Sequence, residues 1–142
     1  MSRRTARESA LQALYQLEFY PENEGFVIRE RGEELKGPDY TFFKEITLGV
    51  RKHLSVIDPL IRRFLKKGWS LERISSVDRT ILRLAAYELL FEKKVPRGVV
   101  LNEAVDLAKV FSSEESSRFI NGVLGRLAGE LDKLKAELEN QA

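Results

Sequence analysis

The sequence predicts an all-α protein, and three observations support this fold class. Apolar residues recur at intervals of three and four along most of the chain, which is the period of an amphipathic helix. No stretch alternates apolar and polar residues as a half-buried strand does. Helix-capping and helix-breaking signals separate the periodic segments. We therefore expect one compact domain, residues 1–142, built from about seven helices.

The first predicted helix follows the stretch RRTARESALQALYQLE and ends at Tyr20-Pro21, because the residue before a proline avoids the helical region. Thr5 and Glu8 match the capping-box pattern at its start. A short amphipathic piece follows over residues 26–35. Small and apolar residues at helical spacing define the buried face of the first helix: Ala6, Ala10, Ala13, Leu14 and Leu17.

Two further helices are predicted between residues 39 and 67. Asp39 is placed to cap the first of them. The tetrapeptide SVID at 55–58 matches a second capping box, with Pro59 in the first turn of the helix that it opens. Gly68 is expected to end that helix in a left-handed conformation, and Trp69 to pack at the corner.

The strongest helix signal is SSVDRTILRLAAYELLFEKKVP, in which Ser75 and Asp78 form a cap and Pro96 ends the helix. Another helix is expected over about residues 101–111. A last helix begins after Ser112-Ser113 and carries its apolar stripe into the C-terminal tail.

Three glycines lie inside the last predicted helix, at spacings of three and four residues: Gly122, Gly125 and Gly129. Each costs about 1 kcal/mol of helix stability relative to alanine. One interpretation is close packing against another helix. The other is a groove, near Phe119 or Asn121, that the backbone of another molecule approaches closely.

Composition excludes several classes of protein. Hydrophobic residues make up 43% of the chain and charged residues 32%, which is typical of a globular domain. The absence of cysteine excludes disulfides, thiolate zinc sites and cysteine nucleophiles, and it fits a reducing compartment. No apolar run approaches the ~20 residues of a membrane span, and no signal peptide is evident. We expect a cytoplasmic protein with no membrane association.

No catalytic constellation is recognisable. His53 is the only histidine and has no evident second ligand or acid partner, so a surface or structural role is expected. No nucleophile elbow, metalloprotease motif or phosphate-binding loop is present. The sequence therefore predicts no catalytic residue, no metal site, no cofactor and no enzymatic activity.

Charge is concentrated at the N-terminus. The net charge is +2, yet residues 1–7 contain three arginines and no acid, so the remainder of the chain is slightly acidic. Arg3, Arg4 and Arg7 crowd the positive end of the first helix, where each costs a few tenths of a kcal/mol. A frayed, solvated terminus is one interpretation. The other is that an anion from outside the protein, such as a phosphate, neutralises the three guanidinium groups.

Three segments together resemble the NusB family of bacterial transcription antitermination factors, in the family's order and spacing. They are RRTARESALQALYQLE, VDRTILRLAAYELLFEKKVP and NEAVDLAKVFSSEESSRFINGVLGRL. The resemblance implies an all-helical fold of two packed subdomains. It also implies binding of single-stranded boxA RNA, notably in ribosomal RNA operons, as a heterodimer with the small-subunit ribosomal protein NusE. Other Nus factors and RNA polymerase are the implied wider partners, and both a monomer and a homodimer fit the free protein.

The resemblance also assigns residues, position by position. Phe119 is expected to stack a base and Asn121 to read a base edge. Asp78 matches a position on the NusE side. Gly125 stands where many relatives have Asp, so any role of that carboxylate is absent here. The implied RNA contacts are Arg3, Arg4, Arg7, Tyr15, Glu115, Phe119 and Asn121.

Two other functions remain open at this stage. Ribosomal RNA cytosine methyltransferases carry a NusB-like domain ahead of their catalytic domain, but this alternative requires the chain to be a fragment of a longer protein. In the other, the chain is a protein–protein adaptor whose arginine cluster binds an acidic partner. Nuclease treatment would separate an RNA-dependent contact from a purely protein one.

Overall fold

The computed structural model describes residues 3–141, so the first two positions of the arginine-rich segment lie outside it. Within this range all regular structure is helical, which confirms the all-α prediction. Two single 3₁₀ turns lie at Pro21–Asn23 and Leu71–Arg73. The eight α-helices are α1 Arg4–Phe19, α2 Glu24–Arg31, α3 Gly37–Lys52, α4 Leu54–Arg63, α5 Ser76–Phe91, α6 Arg97–Phe111, α7 Glu114–Gly129 and α8 Leu131–Gln141.

Helix α5 forms the centre of the molecule. It packs against α1, α3 and α4 on one side and against α6, α7 and α8 on the other. Most of its side chains are buried, including Leu82, Ala86 and Leu89, as expected for a helix surrounded by others. The other helices are amphipathic. In addition to its contact with α5, α1 packs on α2 and α3, and α6 packs on α7.

The contact between α3 and α5 depends on a glycine. Gly49 lies in α3 directly against the Tyr87 ring of α5, and a Cβ atom at this position would overlap that ring. Close approach of the two helices therefore requires the missing side chain. The helical period of the sequence gives no sign of this requirement.

Two helices, α5 and α7, begin where the sequence predicted, and a serine caps each of them. Ser75 Oγ accepts a hydrogen bond from the Asp78 backbone N–H at 3.2 Å, and Ser113 Oγ accepts one from Ser116 N–H at 3.0 Å. Both bonds satisfy an amide that has no partner within the helix. The caps predicted at Ser75 and after Ser112-Ser113 are confirmed.

Three other predicted caps are wrong, because their helices begin earlier than expected. Helix α1 starts at Arg4, with Arg3 as the N-cap and no side-chain cap bond, so Thr5 lies in the first turn and forms no capping box. Helix α3 likewise begins two residues before Asp39. Helix α4 begins at Leu54 without a side-chain cap, which places Pro59 inside the helix and breaks the proposed 55–58 box.

The region after α4 also differs from the prediction. The helix ends at Arg63, and Gly68 adopts its positive φ of 93° in the following loop. Trp69, which was expected to pack at the corner, contacts Phe119 there but is more than half exposed. The predicted last helix divides into α7 and α8 after Gly129, which accounts for eight helices where the sequence suggested about seven.

The three α7 glycines do not serve helix packing. A Cβ atom at Gly125 or Gly129 would meet no atom within 4 Å, and one at Gly122 would meet only the Arg126 guanidinium, at 3.4 Å. The close-packing interpretation is therefore wrong, because these positions face open space.

Candidate nucleic-acid interface

Arg7 belongs to the protein interior. Its guanidinium donates two hydrogen bonds to the Glu88 carboxylate, from Nε at 2.9 Å and from Nη2 at 2.7 Å. Arg7 is 4% exposed and Glu88 2%. A paired arrangement of this kind compensates two charges that would otherwise be costly to bury. The expectation that an outside anion neutralises Arg7 is wrong, because α5 supplies the anion.

Arg4 and Arg3 lie nearer the surface and differ from each other. Arg4 donates to Glu103 at 2.9 Å and to Asp106 at 2.6 Å, and these two carboxylates of α6 raise its pKa. Arg3 lies over the Phe42 ring at 4.4 Å. Among residues 3–141, no carboxylate lies within 4.0 Å of its guanidinium. Of the three arginines, Arg3 therefore offers the least compensated charge to a phosphate.

A pair of acids lies close to this arginine region. Burial raises the pKa of Glu92 to about 7, and a hydrogen bond with Glu45 together with the negative charges of Glu45 and Glu88 adds to the increase. The positive charge of Arg3 acts in the opposite direction. Glu92 is therefore partly protonated near neutral pH, which reduces the negative charge next to Arg3.

Tyr15 lines an apolar groove between α1 and the ends of α5 and α6. The groove has a volume of about 380 Å³. Tyr15 is 40% exposed, and its ring meets that of Phe19 edge-on at 5.3 Å. From the sequence, Tyr15 could be either a half-buried core residue or a surface for base stacking. The structure places its ring on the surface of this groove. The other lining residues are Leu11, Gln12, Gln16, Tyr20, Arg31, Val77 and Phe111.

A second cleft, of about 430 Å³, lies on the other side of the first turn of α5. Val77 lines the apolar groove and Asp78 lines this cleft, so the two depressions adjoin. Three predicted site residues meet here: Asp78, Glu115 and Phe119. Positive side chains surround them: Lys66, Arg73, Arg118 and Arg126. The arrangement combines an aromatic ring with basic groups, as in sites for single-stranded nucleic acid.

Asp78 joins α5 to α7 in the wall of this cleft. Its Oδ2 accepts a hydrogen bond from Ser116 Oγ at 2.8 Å, and the side chain is mostly buried. Oδ1 is buried and finds no donor among residues 3–141. An unmatched buried acceptor costs roughly 1–3 kcal/mol. Oδ1 therefore lacks the hydrogen-bond donor that a buried carboxylate oxygen ordinarily has.

Two residues named by the sequence lie apart from both depressions. Asn121 is exposed on α7 but does not line the cleft that Phe119 enters. The His53 ring stacks on Phe91 at 4.3 Å between centroids, which fits a structural role.

Within the described range, no group of three or more histidine, aspartate or glutamate side chains is placed to hold a metal ion. No described helix is long and apolar enough to cross a membrane.

The sequence missed the loop side of the cleft. Trp69 lies against Phe119 with 5.4 Å between ring centroids, and Lys66 and Arg73 flank it. One signal was available, because Trp69 is the only tryptophan and lies among basic residues of a predicted loop. Its position opposite α7 depends on how α4 and α7 each pack on α5, and this cannot be derived from periodicity.

Comparison with known proteins identifies the family. Residues 4–129 match the NusB family over nearly the whole length of the chain. The chain belongs to the NusB family. It is 44% identical over 137 residues to the transcription antitermination protein NusB of Desulfitobacterium hafniense strain DCB-2, with 94% of this chain and 92% of that protein covered. It is 47% identical over 127 residues to the NusB of Bacillus thuringiensis strain Al Hakam, with 89% and 97% covered.

Solved NusB structures share the fold. T. maritima NusB is 41% identical and superposes with a TM-score of 0.84, covering 92% of each chain. A chain in a crystal structure of the antitermination factors NusB and NusE in complex with double-stranded RNA is 34% identical. It superposes with a TM-score of 0.80 over 89% of this chain and 96% of that one. The resemblance found in the sequence is confirmed.

Proposed function

We propose that this protein is a transcription antitermination factor that binds boxA-type single-stranded RNA together with NusE and promotes processive transcription of ribosomal RNA operons. The observation that carries the proposal is the pair of adjoining depressions on either side of the α5 start. One presents Tyr15 and the other Phe119 among basic side chains. The structure of a related NusB with NusE and RNA supports the same pairing of partners.

The RNA contacts that we propose divide by chemistry. Arg3 binds phosphate as a charge, and Arg4 contributes less because Glu103 and Asp106 already hold it. Phe119 stacks a base, and Tyr15 offers a second ring in the adjoining groove.

The remaining predicted site residues take other parts in the proposal. Arg7 supports the interface only indirectly, since its pairing with Glu88 fixes the start of α1 on α5. Glu115 faces the same cleft as Phe119 and accepts hydrogen bonds from base amino groups. Asn121 lies outside the cleft and contacts RNA only where the strand leaves it. Asp78 acts toward NusE through the junction of α5 and α7.

The wider role follows from the same proposal. The protein joins other Nus factors on RNA polymerase in the cytoplasm, without cofactor, metal or enzymatic activity of its own. We assign residues 1–142 to one RNA-binding domain. Helices α1–α4 and α5–α8 form its two subdomains, with α5 as the shared wall.

An RNA-binding titration tests the proposal. Labelled boxA-type RNA, a scrambled strand and a duplex of the same sequence are titrated with the protein, with and without saturating NusE. We expect NusE to raise the affinity for the boxA strand above that for both controls, because the body of the protein outside Arg3 and the cleft offers few phosphate contacts. Equal affinity for all three RNAs, unaffected by NusE, would contradict the heterodimer function.

The apolar groove favours a second candidate, a protein–protein adaptor. Phe19, Tyr20 and Val110 are exposed at or beside it, and exposed aromatic patches are typical of protein contacts. Nuclease treatment of a complex with NusE separates the two functions. A complex that forms equally well without RNA, from a protein that shows no RNA affinity, would support the adaptor.

A further inference from the structure

Trp69 is an exposed aromatic residue for which the fold gives no internal reason. Its side chain is 56% exposed, in the loop between α4 and α5. A large indole surface left in water forgoes a substantial burial energy. The ring does not lie alone, because its centroid is 5.4 Å from that of Phe119 with 37° between the planes. Together the two rings form a continuous aromatic surface along the cleft.

The charges around this surface favour a polyanion. Lys66 and Arg73 line the same cleft, and within residues 3–141 neither has a carboxylate within 4.0 Å. Arg126 donates to the Phe64 carbonyl at 2.8 Å, which holds its guanidinium in place without neutralising it. Arg118 meets Glu114 only at 3.9 Å on an exposed helix face. Two acids, Asp78 and Glu115, also line the cleft, so its basic side chains outnumber its acidic ones by four to two.

The cleft therefore combines aromatic rings with positive charge. Trp69 is exposed, and Phe119 is partly buried against the core. Asp78 is mostly buried in the cleft wall and bonded to Ser116, so it takes no part in this surface. A nucleotide strand supplies the complement of rings and cations, since it has base faces and phosphates.

We propose that Trp69 and Phe119 form a two-ring stacking surface for consecutive bases of a single RNA strand, with Lys66 and Arg73 binding the flanking phosphates. This inference rests on the proposed RNA-binding function and extends it to the loop between α4 and α5. The two rings lie against each other, so no base enters between them, and the bases stack on the ring surfaces that line the cleft. The basic pair then holds the sugar–phosphate chain beside the rings.

Intrinsic fluorescence tests the inference directly, because Trp69 is the only tryptophan in the sequence. The protein is titrated with single-stranded boxA-type RNA in the presence of NusE, and Trp69→Phe gives the background emission. We expect RNA to quench Trp69 and to protect it from acrylamide. Unchanged emission and unchanged acrylamide access at saturating RNA would overturn the stacking role.

Matched variants separate stacking from charge, with affinity measured by anisotropy of labelled RNA. Trp69→Ala should weaken binding by about 5- to 150-fold, whereas Trp69→Phe should retain most of the affinity because a ring remains. Arg73→Gln should flatten the dependence of log K on log salt by about 0.7. Phe26→Ala is the control, since Phe26 is comparably exposed on α2 and lines neither depression.

The outcomes distinguish this inference from the function on which it rests. Wild-type affinity of Trp69→Ala, in a protein that still binds RNA with NusE, overturns the stacking surface and leaves the antitermination proposal standing. Loss of affinity in Phe26→Ala equal to that in Trp69→Ala also overturns it, as a general effect of removing surface rings. Absence of RNA binding by the wild-type protein with NusE rejects both. Circular dichroism of each variant confirms that the fold is kept.

Discussion

The start of α1 and the cleft at α7 both concentrate positive charge, but they use it differently. At the start of α1, Arg7 and Arg4 are held by carboxylates of α5 and α6, so most of the charge fixes the helix in place. At the cleft, Lys66 and Arg73 have no such partners in the described chain. A cluster of arginines in a sequence therefore measures total charge, and only the packed structure shows how much is available to a ligand.

The largest expected effect comes from breaking the buried pair. Arg7→Met should lower the free energy of unfolding by about 3–5 kcal/mol, because it leaves Glu88 charged and buried without its partner. Denaturant unfolding measures this. The double change Arg7→Met with Glu88→Met should recover most of the loss, since an apolar pair has no charge to compensate. A single variant as stable as wild type would contradict the structural role of Arg7.

RNA binding should separate the arginines by their availability. Arg3→Gln should flatten the plot of log K against log salt by about 0.7, the contribution of one phosphate contact to a single strand. Arg4→Gln should flatten it by less, because Glu103 and Asp106 already neutralise Arg4. The two substitutions should weaken boxA and scrambled RNA by similar factors, since phosphates carry no sequence. A larger change for Arg4 than for Arg3 would reverse the assignment.

The raised pKa of Glu92, beside Arg3, gives a pH dependence of stability. The pKa of Glu92 is about 7 in the folded protein, above its ordinary value of 4.5. Between these values the folded state binds more protons than the unfolded state, so stability falls as pH rises through this window and levels off above it. Glu92→Gln should flatten this decline. Denaturant midpoints from pH 5 to 8 measure it, and a decline that persists in Glu92→Gln would assign it to other groups.

The smallest expected effect is a gain in stability from a substitution in α7. Gly125→Ala should raise the free energy of unfolding by up to about 1 kcal/mol, because a Cβ there meets open space and alanine favours the helix. Gly49→Ala is the matched change, and it should destabilise the protein because its Cβ would overlap Tyr87. Thermal unfolding of both variants compares them. Destabilisation by Gly125→Ala would indicate a packing role for the α7 glycines.

The sequence by itself determined the helical class, the end of α1, the starts of α5 and α7 and the buried stripes. These features depend on local properties: the 3.6-residue period, proline at Tyr20-Pro21 and serine caps at Ser75 and Ser113. The family resemblance also singled out Phe119, Glu115 and Asp78, which line one cleft in the structure. Periodicity alone does not distinguish a cleft residue from a surface one.

Only the tertiary structure decided where charge and rings become available. Glu88 lies 81 positions after Arg7 in the chain and neutralises it through packing of α1 on α5. The loop between α4 and α5 brings Trp69 into contact with Phe119, which is 50 positions away in the chain. Local patterns fix the conformation of single segments. Packing of the whole core decides which segments meet. It therefore decides which charges pair, which rings stay exposed and why a glycine is required at position 49.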